Sequence, residues 1–353
     1  MRIAQVSPLH ESVPPRGYGG TERVVAYLTE ELVRMGHDVT LFASGDSQTS
    51  ARLVPIVARS LRTDPLSVDA LAHHIVMVEH VLRSAASFDI VHFHIDYMHF
   101  PLSRRLALPN VTTLHGRLDI PDLQPLYDEF SDMPVVSISN AQRKPLLQAN
   151  WVGTVPHGLP NDLFPLQHAP DGYLLFLGRI SREKRVDRAI EIAIRSHRKL
   201  RIAAKVDRVD ASYYRKTIEP LIRHPLVEWV GEVNDEEKDE FLGNASALLF
   251  PIDWPEPFGL TMIEALACGT PVIAWQHGSV SEVLEQGVTG FLCDDVGAAV
   301  RAVNQLDRLS RARCRQEFER RFTAERMARD YVAIYERLAG TGERAASVSE
   351  QRT

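Results

Sequence analysis

Two glutamates, Glu256 and Glu264, frame the string Pro251-Ile-Asp-Trp-Pro-Glu-Pro-Phe-Gly-Leu-Thr-Met-Ile-Glu-Ala-Leu-Ala-Cys-Gly-Thr-Pro-Val272. It reads as strand, loop, helix, turn and strand. Pro255 and Pro257 keep Glu256 out of any helix, and Gly259 marks the junction from loop to helix. The helix then runs from near Leu260 to a stop at Cys268-Gly269, with Glu264 about one turn inside it. The amides of Phe258, Gly259 and Leu260 point out of the helix start and, with the helix dipole, favour a phosphate. Glu264 beside them suits a bidentate grip on the vicinal hydroxyls of a ribose. Glu256, at the loop tip, suits hydroxyls of a sugar beyond the phosphates. A capped surface helix with two solvated glutamates is the plainer reading. The convergence of a buried-looking strand, two prolines, a glycine and a second glutamate weighs against it.

Other residues could share that chemistry. Gly178-Arg179-Ile-Ser-Arg-Glu-Lys184 sets Arg179 and Lys184 just after an apolar strand, where two cations would neutralise a pyrophosphate. Gly17-Tyr18-Gly19-Gly20-Thr21-Glu22 follows the first strand and opens a helix. Its glycines let backbone amides approach an anion, and Thr21 is placed to cap the helix. Asp96 ends another strand and could face an acceptor, as could Tyr18.

The string Glu256-Pro-Phe-Gly-Leu260 followed by Glu264 resembles the signature of the GT-B glycosyltransferases of glycosyltransferase family 4, a Glu, seven residues and a second Glu. The resemblance runs from the first strand to the last helix. It implies that Arg179 and Lys184 grip the donor diphosphate and that Gly19 and Gly20 belong to a glycine loop facing donor phosphates and acceptor. It also implies that His115 contacts the donor sugar, with Glu256 and Phe258 at the sugar and Glu264 at the ribose. Glu232 and Val233 match the stretch whose backbone meets the base. Gly278-Ser279-Val280-Ser281-Glu282 departs from the family's G-G-x-x-E form at Ser279, and Glu282 is kept as a site residue without a role. Ser137-Ile-Ser-Asn140 and Pro156-His157-Gly158 resemble further family elements. Membership implies a retaining transfer of a hexose from a UDP- or GDP-sugar to a hydroxyl acceptor, by a front-face mechanism with no metal and no cofactor. The partners implied are the nucleotide sugar and a hydroxylated small-molecule, glycan or lipid-linked acceptor.

These residues need strands to carry them. β-rich runs at 2–6, 38–42, 90–93, 111–114, 135–138 and 152–155 alternate with helix candidates near 21–35, 67–86 and 140–149. The pattern restarts with strands at 173–177, 201–204, 227–230, 247–250 and 272–274 and helices near 184–197, 211–222, 235–243, 260–268 and 280–286. Short apolar strands between helices read as parallel sheets covered on both faces. The expectation is an α/β chain of two facing Rossmann-like doubly wound domains, at 1–165 and 166–322. Helices follow at 296–305 and 310–321, the first with Asp295 as its cap, and a last helix at 323–340 packs back on the first domain. A tail at 341–353 is expected to be disordered. The stretch 47–75, with its arginines and prolines, reads as a partly mobile acceptor loop.

At 353 residues the chain exceeds one ordinary core, and its net charge of -6 disfavours a nucleic-acid partner. The six arginines between Arg308 and Arg321 read as a solvated helix face, or else as a basic surface for an anionic acceptor or lipid. Three scattered cysteines support neither a disulfide framework nor a zinc site. The N-terminus carries no apolar leader pattern, so a cytoplasmic location is expected, with peripheral membrane contact left open. A glycoside hydrolase would need two carboxylates across one bond, and a nicotinamide enzyme would need the G-x-G-x-x-G fingerprint, which is missing. A sugar-nucleotide epimerase and a binding-only protein stay as alternatives.

Overall fold

Runs of Val, Ile, Leu and Ala that are apolar on both faces must be covered on both faces, and the chain meets that demand with two parallel sheets. The computed structural model describes residues 1–17, 19–106, 108–233 and 235–350. Two units partition the chain, one of Met1–Gly158 with Ala324–Thr353 and the other of Leu159–Thr323.

The first unit holds β1 (Arg2–Val6), β2 (Asp38–Ser44), β3 (Arg52–Val57), β4 (Ile90–Phe93), β5 (Asn110–Thr113), β6 (Pro134–Ser137) and β7 (Asn150–Thr154). Their order is β3-β2-β1-β4-β5-β6-β7, every pairing parallel. Alternation sends Ala4, Val6, Phe42, Val91 and Phe93 to one face with Met77, Val78 and Val81 of the helix Ala70–Arg83. Leu41 and Ala43 turn to the other face, with Val25 and Ala26 of the helix Gly20–Arg34.

The second unit holds β8 (Tyr173–Arg179), β9 (Leu200–Lys205), β10 (Val227–Gly231), β11 (Ala245–Phe250), β12 (Val272–Trp275) and β13 (Gly290–Cys293). Their order is β10-β9-β8-β11-β12-β13, again all parallel. In each sheet the strand order reverses beside the unit's first strand, between β1 and β4 and between β8 and β11. Ligands of such sheets bind beyond the carboxyl ends of the strands at that reversal. Arg179 ends β8, and the loops that follow β8 and β11 carry Lys184 and Glu256.

The last helix, Ala324–Glu350, belongs to the first unit. The Tyr331 hydroxyl lies 2.8 Å from Thr113 Oγ1 and the Tyr335 hydroxyl 2.6 Å from His92 Nδ1, so the expected packing back is made through buried polar contacts as well as apolar ones. The helix runs past Gly340, where the sequence reading ends it. A glycine inside a helix costs only about 1 kcal/mol against alanine, and the Glu343-Arg-Ala-Ala346 run beyond it favours helix.

Several expectations are corrected. The stretch 47–75 is not one loop: β3 occupies its middle, and Asp69 caps the helix Ala70–Arg83 through the Leu71 and Ala72 amides. Pro55 disguises β3, yet an edge strand tolerates a residue with no amide proton. β13 also escapes the reading because it is four residues long and opens on Gly290, where a Cβ would overlap the Val272 carbonyl oxygen. The helix expected at 140–149 stops at Arg143, and that at 211–222 breaks into short turns, five residues of them a π-turn. Two short helices, Phe100–Arg105 and Leu123–Glu129, were not anticipated. The first unit gives way to the second at Gly158, earlier than 165.

The arginine run is neither a free basic surface nor a wholly solvated face. Arg311 donates to the carbonyls of Gln167, Ala245 and Gly243, and Arg315 to those of Phe164, Ala267 and Asn161. Arg321 donates to the carbonyls of Val283 and Glu282. Arg313 and Arg320 are exposed and pair with Glu317 on their own helix. Asp295 caps the helix Val296–Val303 as expected, its Oδ1 accepting from the Ala298 amide at 2.7 Å. No helix among the described residues is long and apolar enough to cross a membrane, and the three cysteines are free and buried.

Candidate functional site

In the second unit the loops after β8 and β11 meet. Lys184 Nζ lies 2.5 Å from Glu256 Oε2, which also accepts from Trp254 Nε1 at 3.1 Å. The ammonium sits 5.0 Å from the Trp254 ring centroid and 5.4 Å from that of Phe250. Glu256 is only 8 % exposed. A carboxylate so buried is tenable because a cation and an indole N–H hold it. Its conformation is fixed from behind. The Ser279 amide donates to the Glu256 carbonyl at 2.9 Å and the Ser279 hydroxyl donates to the Phe258 carbonyl at 2.8 Å. The departure from a second glycine at Ser279 therefore ties down the loop that presents Glu256.

Gly278 has φ +60°, and a Cβ there would overlap the Glu256 carbonyl oxygen and amide nitrogen and lie 2.7 Å from the Pro255 carbonyl carbon. Gly278→Ala is expected to push residues 255–258 out of place. The outcome to measure is a fall in kcat/KM of about a hundredfold, with a loss of about 1–3 kcal/mol of stability from overpacking. Unchanged kinetics in the folded variant would show that the position of Glu256 is immaterial.

Arg179 ends β8 facing three carboxylates, Glu183 at 3.4 Å, Asp207 at 3.5 Å and Asp210 at 3.6 Å. These are long contacts, which an anion making short charge-assisted bonds would displace. The helix Leu260–Ala267 starts from Gly259, held at φ +83° with no side chain capping its first turn. One turn in, Glu264 is 2 % exposed. Its Oε1 pairs with Lys238 Nζ at 3.0 Å, and its Oε2 is buried with no hydrogen-bond partner among the described residues. A buried carboxylate oxygen in that state is an acceptor awaiting a donor.

Lys238 was missed by the sequence reading. Its run Asp-Glu-Glu-Lys-Asp-Glu looks like a solvated helix face, and only the three-dimensional pairing with Glu264 marks it. It also ties Glu264 to the segment after β10, because the helix Asp235–Gly243 follows Glu232 and Val233. Glu232 is exposed, and Gly231 before it turns at φ +86°. Phe258 is buried and meets Phe322 edge to face. The Glu282 carbonyl accepts from Arg321.

In the first unit the segments beyond β4, β5 and β7 gather a histidine cluster of His94, His115 and His157. His94 Nδ1 is 2.9 Å from His115 Nε2, and His115 stacks on His157 at 5.3 Å with 17° between the rings. Burial holds the His92, His94 and His157 imidazoles well below their ordinary range and pushes His115 down to about 3. His115 Nδ1 is buried without a hydrogen-bond partner among the described residues. Asp96 adopts φ 51°, a left-handed conformation that aspartate tolerates better than most residues. Its side chain reaches solvent while close-packed protein around it pushes its carboxyl up to about 6.

Gly19 is the N-cap of the helix Gly20–Arg34, so Thr21 lies inside the first turn and does not cap it. A Cβ at Gly19 would come within 2.8 Å of Pro15 Cβ. This helix start, like that of Leu260–Ala267, carries no side-chain cap. Tyr18 lies outside the described residues.

The sequence pattern of the family described as "Glycosyl transferases group 1" matches residues 163–325, and that of "Glycosyltransferase Family 4" matches residues 18–151. The chain is 27% identical over 387 residues to a phosphatidyl-myo-inositol mannosyltransferase of Mycolicibacterium smegmatis, covering 97% of this chain and 95% of that one. It is 25% identical over 373 residues to the N-acetyl-alpha-D-glucosaminyl L-malate synthase of Bacillus anthracis, covering 90% and 93%. Among solved structures, AviGT4, a glycosyltransferase involved in avilamycin A biosynthesis, superposes with a TM-score of 0.75 at 24% identity, covering 96% of this chain and 98% of that one.

Proposed function

We propose that this chain, which belongs to the group 1, family 4 glycosyltransferases, moves a hexose from a UDP- or GDP-sugar to a hydroxyl acceptor, with retention at the anomeric carbon and without a metal ion. The observation that carries the donor reading is Glu264. It is a buried carboxylate with one oxygen engaged by Lys238 and the other unpartnered, one turn inside a helix that has no side-chain cap. Vicinal ribose hydroxyls would satisfy that oxygen while the diphosphate takes the first-turn amides at 258–260.

Arg179 and Lys184 then neutralise the diphosphate in place of a metal ion. Glu256, with Phe258, orients the sugar, and the backbone at Glu232 and Val233 meets the base. In the first unit Gly19 and Gly20 offer amides to an anion, His115 a ring nitrogen to a sugar hydroxyl, and Asp96 a carboxylate to the acceptor; Tyr18 is kept with Asp96, and Glu282 has no role. In the transfer the bond from C1 to the diphosphate oxygen breaks as the acceptor oxygen bonds to C1 on the same face. The acceptor proton passes to the departing phosphate oxygen.

The names of the two relatives carry a phosphatidyl-myo-inositol and an L-malate, so the acceptor is left as a hydroxylated small molecule, glycan or lipid-linked species. The reading is of a cytoplasmic enzyme, touching a membrane where its acceptor is lipid-linked. A thermal-shift panel of nucleoside diphosphates and their sugars tests the donor. The right one at a hundred times its Kd adds about 2.7 kcal/mol of apparent stability; a flat panel sinks the reading. NMR of the product tests the mechanism, and an inverted anomeric centre removes it.

A further inference from the structure

Gln5 is fully buried in β1, an amide among the apolar residues Ile3, Ala4 and Val6. It sits at the centre of one continuous run of hydrogen bonds. Gln5 Oε1 lies 2.8 Å from His94 Nε2, and Gln5 Nε2 lies 3.1 Å from the Tyr335 hydroxyl. The Tyr335 hydroxyl is 2.6 Å from His92 Nδ1, His92 Nε2 is 2.7 Å from Thr113 Oγ1, and Thr113 Oγ1 is 2.8 Å from the Tyr331 hydroxyl. At the other end His94 Nδ1 is 2.9 Å from His115 Nε2.

We propose that Gln5 fixes the tautomer of His115 through His94, so that the first unit presents a bare Nδ1 lone pair as the acceptor for a sugar hydroxyl. An amide oxygen only accepts, so His94 Nε2 carries the proton and donates to Gln5 Oε1. A neutral imidazole has one N–H, which leaves His94 Nδ1 bare. His115 Nε2–H therefore donates to it, and His115 Nδ1 is the lone pair left over. That nitrogen is the buried, unpartnered one. Turning the Gln5 amide over would reverse each of these bonds, and His115 would present Nδ1–H, a donor, in place of an acceptor. The remainder of the run follows from the same orientation. Gln5 Nε2 donates to the Tyr335 hydroxyl, which donates to His92 Nδ1, and His92 Nε2–H donates to Thr113.

Gln5 and His94 are thus positioning residues. Burial keeps the rings neutral, so the choice between donor and acceptor at His115 is made by tautomer and not by protonation. The sugar-contact part of this inference rests on the role proposed above for His115; the relay itself does not.

The test is long-range 15N–1H correlation on the full chain with 15N-labelled histidine, assigned with His94→Gln and His115→Gln variants. The expected spectrum has His115 protonated at Nε2 and bare at Nδ1. Gln5→Glu, which offers only acceptors, is expected to keep that signature, and Gln5→Leu to lose it. With the donor sugar, Gln5→Leu should raise KM about tenfold, the loss of about one hydrogen bond, while nucleoside diphosphate affinity and kcat hold. Gln5→Glu should restore KM. An Nδ1–H on His115 in the wild type overturns the proposal, as does a Gln5→Leu variant with the wild-type signature. Should Gln5→Leu fail to fold, the wild-type and Gln5→Glu spectra decide alone. A confirmed tautomer with unmoved KM would instead overturn the sugar contact and leave the relay standing.

Discussion

Replacing Lys184 by Met is expected to cut kcat by about 10²–10³-fold, the usual consequence of removing one charge-stabilising group aimed at a developing anion. The loss has two sources that can be separated. Lys184 would neutralise the leaving diphosphate, and it also holds the buried carboxylate of Glu256 at 2.5 Å. Removing the cation alone leaves that carboxylate unpaired, and breaking a buried pair in this way costs about 3 kcal/mol or more. The double variant Lys184→Met, Glu256→Gln removes both charges and is expected to recover most of the stability, because a neutral amide in place of the carboxylate no longer needs a cation. It is not expected to recover the rate. Melting temperatures and kcat measured for the wild type and the two variants check both halves. A double variant that regained activity would make Lys184 a purely structural partner, and an active single variant would remove it from the chemistry.

Acid should unfold the first unit before the second. Six buried histidines there, His74, His92, His94, His99, His115 and His157, have pKa values lowered by burial. The unfolded chain takes up protons at these positions near pH 6.5, where the folded chain refuses them. Each such histidine gives stability that is complete above the unfolded value and lost as pH falls below it, by about 1.4 kcal/mol per pH unit. Asp96 and Glu22 act in the opposite sense, since desolvation raises their carboxyls, and they gain stability on acidification. Six against two leaves roughly four groups, or about 5–6 kcal/mol per pH unit. A domain stable by about 5–15 kcal/mol is exhausted within a few pH units of 6.5. Pulsed hydrogen exchange between pH 7.5 and 4.5 should find β1, β4 and β5 unprotected while β8 and β11 are still protected. Histidine resonances in the folded protein titrating with ordinary midpoints would count against it.

The loop that carries Glu256 was legible because it needs residues that also punctuate the chain. Prolines beside Glu256 and a glycine at the helix start are backbone requirements, and backbone requirements show in sequence. Lys238 was not legible, because a lysine among acidic neighbours on a helix looks the same whether it faces water or a buried carboxylate. Ser279 looked like a lapse from the family's glycine, and only its two bonds to the 256–258 loop show what the hydroxyl adds. The histidine cluster was read one residue at a time. His92 and His94 alternate with Val91 and Phe93 along one strand and its end, a pattern that says strand and nothing of the partners brought from β1, β5 and the last helix. β3 was lost to Pro55, which argues against a strand everywhere except at an edge.

The last helix has a consequence for how the chain is made. The second unit is one uninterrupted segment, Leu159–Thr323, whereas the first is completed only by residues from Ala324 onward. Until those residues leave the ribosome, His92 and Thr113 lack the hydroxyls of Tyr335 and Tyr331, and Gly153 lacks the Ile334 side chain that packs over it. Synthesis therefore runs in the opposite order to completion. The half translated first stays open while the half translated second can close, and Leu159, whose amide already bonds the Phe322 carbonyl at 2.9 Å, seals the later segment before the earlier one is finished. A nascent chain stalled just short of the last helix would carry a finished second unit and an unfinished first one, the state in which a chaperone or a protease would meet it.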